Sequence, residues 1–164
     1  MKKLENVGAI PLKQIRVLLA EDNSRFRHAL KILVETDGDI QVVDQAKNGM
    51  LAVQQAKNHK PDVVVMDIAM PMLNGLQATE KILKSSPEIR VLMLSAHPDP
   101  EYIQQAMDFG ASGYLLKQSS TEFLASAIRE VMSGRCYFSL SISRQLREES
   151  QIVFEKNESK KKAA

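Results

Sequence analysis

The chain has a single cysteine, Cys136, among its 164 residues. That excludes an internal disulfide and any metal site built from several thiolates. No apolar stretch comes near the ~20 residues that a membrane-spanning helix needs. Residues 1–14 lack both the long apolar core and the small-residue cleavage site of a secretory leader. A soluble, cytoplasmic protein is the expectation. Basic charge is also scarce where a nucleic-acid surface would need it. The formal net charge is +2, yet Ile15 to Val131 carry 12 Lys/Arg against 15 Asp/Glu, so the excess cations lie in the flanks. The stretch from Ile15 to Val131 offers no electrostatic footprint for DNA or RNA.

What is present is a repeating alternation. Short, nearly continuous apolar runs begin at Ile15, Ile40, Val63, Val91 and Gly113. Runs of that kind suit parallel strands buried on both faces. Helical stripes fill the gaps: Phe26, Leu30, Leu33 and Val34; Leu51, Ala52 and Ala56; Leu76, Thr79, Ile82 and Leu83; Ile103, Ala106 and Met107; Phe123, Ala127, Ile128 and Val131. Asn23 or Ser24 suits the cap of the first helix, Asp37-Gly38 its end, and Gly110 and Gly134 the ends of the last two. Five β-α units predict an α/β fold with a doubly wound, five-stranded parallel sheet and helices on both faces. The division is an extension over 1–14, a domain over 15–134, and a C-terminal stretch over 135–164. In that stretch Ser141 to Glu149 suits one short helix, and Gln151 to Ala164 a solvated tail.

In open parallel sheets, sites form beyond the carboxyl ends of the strands. Those ends carry Glu21-Asp22, Asp67, Ser95 and Lys117. Asp67 directly follows four apolar residues, so its carboxylate is partly desolvated, and acidic neighbours add repulsion. A divalent cation reverses both penalties. An all-oxygen donor set favours Mg²⁺, with Mn²⁺ as the alternative, over zinc. Mg²⁺ takes only one or two carboxylates. Asp22 and Asp67 suit that count, with Glu21 reaching the ion through water and a carbonyl near Ala69 filling another position. A carboxylate so placed is a nucleophile toward phosphorus, giving an aspartyl phosphate. The Lys117 ammonium and the Ser95 hydroxyl suit the phosphoryl oxygens.

Glu21-Asp22, Met66-Asp67-Ile68-Ala69-Met70-Pro71 with Gly75, Leu94-Ser95-Ala96 and Gly113-Tyr114-Leu115-Leu116-Lys117 occur in order at successive strand ends. This set resembles the receiver domain of two-component response regulators over about Ile15 to Gly134. Gly110 to Lys117 further resembles the NarL/FixJ group, whose receivers precede a LuxR-type helix-turn-helix. The resemblance implies strand order 2-1-3-4-5 and a flavodoxin-like receiver fold. It implies that Asp67 takes phosphoryl from a sensor histidine kinase, a phosphotransfer protein or a small phosphodonor. It assigns Mg²⁺ to Glu21, Asp22, Asp67 and the Ala69 carbonyl, with backbone N–H contacts to phosphoryl near Ala69 and Ala96. It makes Ser95 and Tyr114 the switch pair, altering the surface around the fourth helix and fifth strand. Weak self-association through the first and fifth helices, or the fourth-helix face, also follows from it.

Three other classes are weaker. Aspartate-nucleophile phosphatases usually carry a second Asp two residues on, where this chain has Ala69. Flavin or nucleotide folds want a Gly/Ser/Thr-rich phosphate loop after the first strand, where this chain has Glu21-Asp22-Asn23. A LuxR-type output domain needs more chain than the ~30 polar residues after Gly134 supply, so direct DNA binding is not expected. The chain reads as a receiver standing alone or cut before its effector.

Overall fold

The computed structural model describes residues 13–144 and 146–148. Its sheet contains β1 (Ile15–Ala20), β2 (Ile40–Ala46), β3 (Val63–Asp67), β4 (Arg90–Ser95), β5 (Gly113–Leu116) and β6 (Tyr137–Phe138). All pair in parallel, in the order β2-β1-β3-β4-β5-β6. The five expected strands and their order are present. The sixth is the correction. Two residues carry no readable alternation, and the short extended piece after Gly134 owes its pairing to the open side of β5.

The helices are α1 (Ser24–Glu35), α2 (Gly49–His59), α3 (Gly75–Ser85), α4 (Pro100–Asp108) and α5 (Ser120–Met132). α1 and α5 bury Leu30, Val34, Leu124, Ala127, Ile128 and Val131 on one face of the sheet, against Val17, Val65 and Leu94. α2, α3 and α4 bury Ala52, Ala56, Ile82, Ile103 and Ala106 on the other, against Leu18, Met66 and Met93. β3 is buried throughout because it is covered on both faces, which is why its sequence is continuously apolar. β2 is an edge strand with a mixed burial pattern, and it runs three residues beyond the apolar run ending at Val43. Of the expected stripes, Met107 is the exception: it is exposed on α4.

Local chemistry sets the helix limits. Asn23 caps α1 by accepting the Phe26 N–H at 3.0 Å. α1 ends at Glu35, before Asp37-Gly38. Gly110 and Gly134 have φ of 90° and 88°, the left-handed conformation that closes α4 and α5. After β6 the backbone is helical at 140–144 and 146–148, one residue earlier than expected at its start. Glu149, the expected end, and the tail lie outside the described residues, as do residues 1–12.

This C-terminal piece packs on β5. The Tyr137 and Ser139 amides donate to the Ser112 and Tyr114 carbonyls. The Ser139 hydroxyl accepts from the Leu116 N–H at 3.1 Å. Ile142 is fully buried in the apolar cluster that holds Ile103, Ala106, Tyr114 and Leu116. Gly113 is shaped for this contact, since a Cβ there would sit 2.5 Å from the Tyr137 carbonyl oxygen.

Candidate functional site

Parallel register brings the strand ends to one edge. Ala20 pairs with Met66, Asp67 with Leu94, and Ser95 with Leu116. The next residues along, Glu21 and Lys117, therefore flank Asp67. Glu21 and Asp67 are buried, while Asp22 is exposed. Carboxylate oxygens of Glu21, Asp22 and Asp67 lie within 4.8 Å of one another, close enough to share a divalent cation. Asp67 Oδ2 is buried and has no hydrogen-bond partner, an orphaned oxygen of the kind a metal ion satisfies. The all-oxygen donor set and this unshared oxygen lone pair fit a hard cation.

Lys117 is the counter-charge. Its Nζ lies 2.8 Å from Glu21 Oε2 and 3.1 Å from Asp67 Oδ1. Burial raises the carboxyl pKa of Asp67, outweighing Lys117, which pulls it down. Burial likewise raises Glu21, against hydrogen bonds from Lys117 and the Asn23 N–H and with the Asp67 charge adding to the rise. Burial alone would lower Lys117, but its bond to Glu21 and the charge of Asp67 carry it above the ordinary lysine value.

Glu21 differs from a free metal ligand. Its Oε1 accepts the Asn23 N–H at 3.0 Å, and its Oε2 faces Lys117. Arg27 donates to the Glu21 carbonyl, holding the loop against α1. Glu21 Oε2, like Asp67 Oδ2, is buried without a hydrogen-bond partner, but its ion pair with Lys117 engages it, which leaves Asp67 and exposed Asp22 as the acids better placed to meet a cation.

A cavity of about 150 Å³ opens beside Asp67, lined by Ala69, Ser95, Ala96, Tyr102 and Lys117 among others. The Ala69 N–H reaches Asp67 Oδ1 at 3.4 Å. Ser95 is buried at the cavity wall, and its hydroxyl donates to the His97 carbonyl at 2.8 Å. Tyr114 is 1% exposed, with its hydroxyl 3.4 Å from the same carbonyl. Gly75, across from Asp67, is obligatory, because a Cβ there would lie 1.9 Å from the Asp67 carbonyl oxygen. A larger apolar cleft of about 360 Å³, lined by Phe26, Leu30, Leu33 and Thr121, carries no ionisable group.

Glu21, Asp22, Asp67, Ser95 and Lys117 thus gather at one edge, while Tyr114 lies inside β5 and reaches toward it only through its hydroxyl. Sequence reasoning missed three features: the Asn23 N–H on Glu21, the shared His97 carbonyl, and the Phe26 ring centroid 5.3 Å from Lys117 Nζ. Asn23 and Phe26 were visible only as a cap and a stripe residue. A backbone carbonyl leaves no mark in a sequence.

A parallel sheet flanked by helices, with three acids, a lysine and a hydroxyl at its carboxyl edge, is a receiver-type fold. The chain belongs to the response regulator receiver domain family, whose profile matches residues 17–129. It is 38% identical over 145 residues to the response regulator UvrY of Escherichia coli, covering 88% of this chain and 66% of UvrY. The oxygen regulatory protein NreC of Staphylococcus carnosus is 37% identical over 75% of this chain and 57% of its own length. The chain thus spans roughly three-fifths of these curated relatives, which run on beyond the match. Among solved structures, a LuxR-family response regulator from Aurantimonas superposes with a TM-score of 0.81 at 30% identity, covering 84% of this chain and 99% of that one. The receiver domain of NarL from Mycobacterium tuberculosis gives 0.71 at 33% identity, over 75% and 99%. The relatives are LuxR/NarL-type regulators, as the Gly110 to Lys117 segment implied. Among the described residues no helix is long and apolar enough to cross a membrane.

Proposed function

We propose that this chain is the phosphoacceptor of a two-component relay, with Asp67 as the acceptor. The observation that carries the reading is a buried carboxylate with one oxygen 3.1 Å from Lys117 and the other unpartnered, beside an open cavity. An Asp67 oxygen forms a bond to phosphorus as the P–N bond of a donor phosphohistidine breaks and the imidazole leaves. With acetyl phosphate the P–O bond breaks and acetate leaves. Attack by water later releases inorganic phosphate and restores the carboxylate. The chain thus catalyses its own phosphorylation and dephosphorylation and turns over no separate substrate.

Asp22, Asp67 and the Ala69 carbonyl are the groups to hold Mg²⁺, with Mn²⁺ as a substitute and Glu21 reaching it through water. When bound, the ion neutralises charge on the phosphoryl oxygens. Lys117 turns from Glu21 toward the same oxygens. Ser95 exchanges the His97 carbonyl for a phosphoryl oxygen, and the N–H groups of Ala69 and Ala96 add contacts. Ser95 and Tyr114 form the switch, a two-state element biased by one new charge. The donor is a sensor histidine kinase or phosphotransfer protein, the chain works in the cytoplasm, and weak self-association accompanies the switch. DNA contact in this reading belongs to an output domain, not to the mildly acidic surface of Ile15 to Val131.

The test is intact mass after acetyl phosphate and Mg²⁺, for wild type and Asp67→Asn. The expected result is a gain of one phosphoryl group in wild type alone. A gain in both proteins overturns the assignment.

A further inference from the structure

We propose that Phe26 is a positioning residue for Lys117, completing a closed circuit of four residues around the ammonium. The proposal rests on the phosphoacceptor reading of Asp67. The circuit runs as follows. Glu21 Oε1 accepts the Asn23 N–H at 3.0 Å. The Asn23 side chain accepts the Phe26 N–H at 3.0 Å. The Phe26 ring centroid lies 5.3 Å from Lys117 Nζ. Lys117 Nζ returns to Glu21 Oε2 at 2.8 Å. Asp67 stands just outside, with its Oδ1 3.1 Å from the same ammonium.

Each link constrains the next. The N-cap fixes the first turn of α1, and Arg27 ties that turn to the Glu21 carbonyl. Phe26 is therefore set by the same loop that carries the acids. Lysine is a long, flexible side chain with a strongly hydrated head. The Lys117 side chain keeps 26% of its exposure, so it has a path to water. The negative face of an aromatic ring attracts an ammonium and excludes water from that side. Two acids and one ring thus hold Nζ beside Asp67. When Lys117 leaves Glu21 for a phosphoryl oxygen, the ring still holds it. Phe26 also packs with the apolar cluster of α1 and α5, a role that leucine can fill. Leucine has no ring quadrupole, so the two roles separate by substitution.

The test uses the full chain as wild type, Phe26→Leu, Phe26→Tyr and Asp67→Asn. Two readouts are taken. The first is the side-chain NMR signal of Lys117 in the resting protein, which a nearby ring shifts upfield. The second is the affinity for beryllium trifluoride with Mg²⁺, followed by fluorine NMR. Phe26→Leu is expected to lose the upfield shift, to bind about three- to fivefold more weakly and to lower the thermal midpoint by no more than about a few degrees, and Phe26→Tyr to restore the shift and the affinity. A leucine variant with wild-type Lys117 signals and affinity overturns the proposal, as does a tyrosine variant that restores neither. If wild type binds no beryllium trifluoride, or Asp67→Asn binds it equally well, the phosphoacceptor reading fails. The Lys117 signal then still decides whether the ring holds the ammonium.

Discussion

The hydroxyls of Ser95 and Tyr114 converge on one acceptor, the carbonyl of His97, at 2.8 and 3.4 Å. One residue faces the cavity beside Asp67 and the other comes from β5. A change in either bond is therefore felt by the other through a single backbone oxygen. Under the proposed function, Ser95→Ala removes a phosphoryl contact and slows mass gain from acetyl phosphate by about tenfold or more, the worth of one good hydrogen bond. Tyr114→Phe removes only the longer bond and leaves that rate within about twofold. Equal rates for Ser95→Ala and wild type would remove Ser95 from the chemistry.

Asp67→Asn is expected to stabilise the protein without divalent cations at pH 7, by about 1–3 kcal/mol, the cost of a buried group with an unmade bond. The sign follows from the raised pKa. An acid whose folded pKa lies above its unfolded value of 3.8 is destabilising when ionised, and that cost vanishes as pH falls through the folded pKa. The advantage of Asn should shrink in acid. It should also shrink in excess Mg²⁺, which stabilises the native acid by binding it. Urea titrations at two pH values, with and without Mg²⁺, measure both effects.

Two glycines should separate steric from conformational cost. Gly75→Ala puts a Cβ 1.9 Å from the Asp67 carbonyl oxygen, forcing β3 and α3 apart. The expected loss is above about 2 kcal/mol, with reduced phosphoryl uptake. Gly38→Ala meets nothing within 4 Å and suffers only from its φ of 79°, so about 1 kcal/mol is lost at unchanged uptake. Similar losses at both sites, read by chemical denaturation, would contradict the close approach.

Arg129 on α5 clasps the loop before β2, with its Nε 2.7 Å from Asp39 Oδ2 and its Nη2 2.7 Å from Asp37 Oδ2. The hydrogen bond from Arg129 holds the Asp39 carboxyl below its ordinary pKa, with burial opposing. A depressed acid contributes stability above its unfolded value of 3.8 and loses it as pH falls through the folded pKa. The pair is more than a third exposed, so solvent screening limits Asp39→Asn to under about 1 kcal/mol at pH 7. That difference should fade in acid and in high salt. A loss that persists in both would make the contact steric rather than ionic.

Strands β1, β3, β4 and β5 were legible because burial on both faces leaves an unbroken apolar run, as in Val63 to Met66. β2 was legible only in its first half, because an edge strand keeps polar residues such as Asp44 and Gln45. β6 was invisible, since two residues have no period and their pairing is decided by β5. The residues of the site were legible as strand ends, because parallel register carries every strand end to one edge. The finer state of Glu21 was not. Whether its oxygens face a metal or Asn23 and Lys117 depends on where α1 begins relative to the end of β5, and sequence spacing does not encode that distance.

Residues 137–139 pair with the outer side of the strand that carries Tyr114, and Ile142 closes over the core beside it, so that side of the strand is covered. A protein that reads this side must first compete with Ser139 for the Tyr114 carbonyl and with Ile142 for its apolar seat. A chain shortened to end before Tyr137 would present an unpaired strand beside a newly wetted core, the arrangement that invites association between copies.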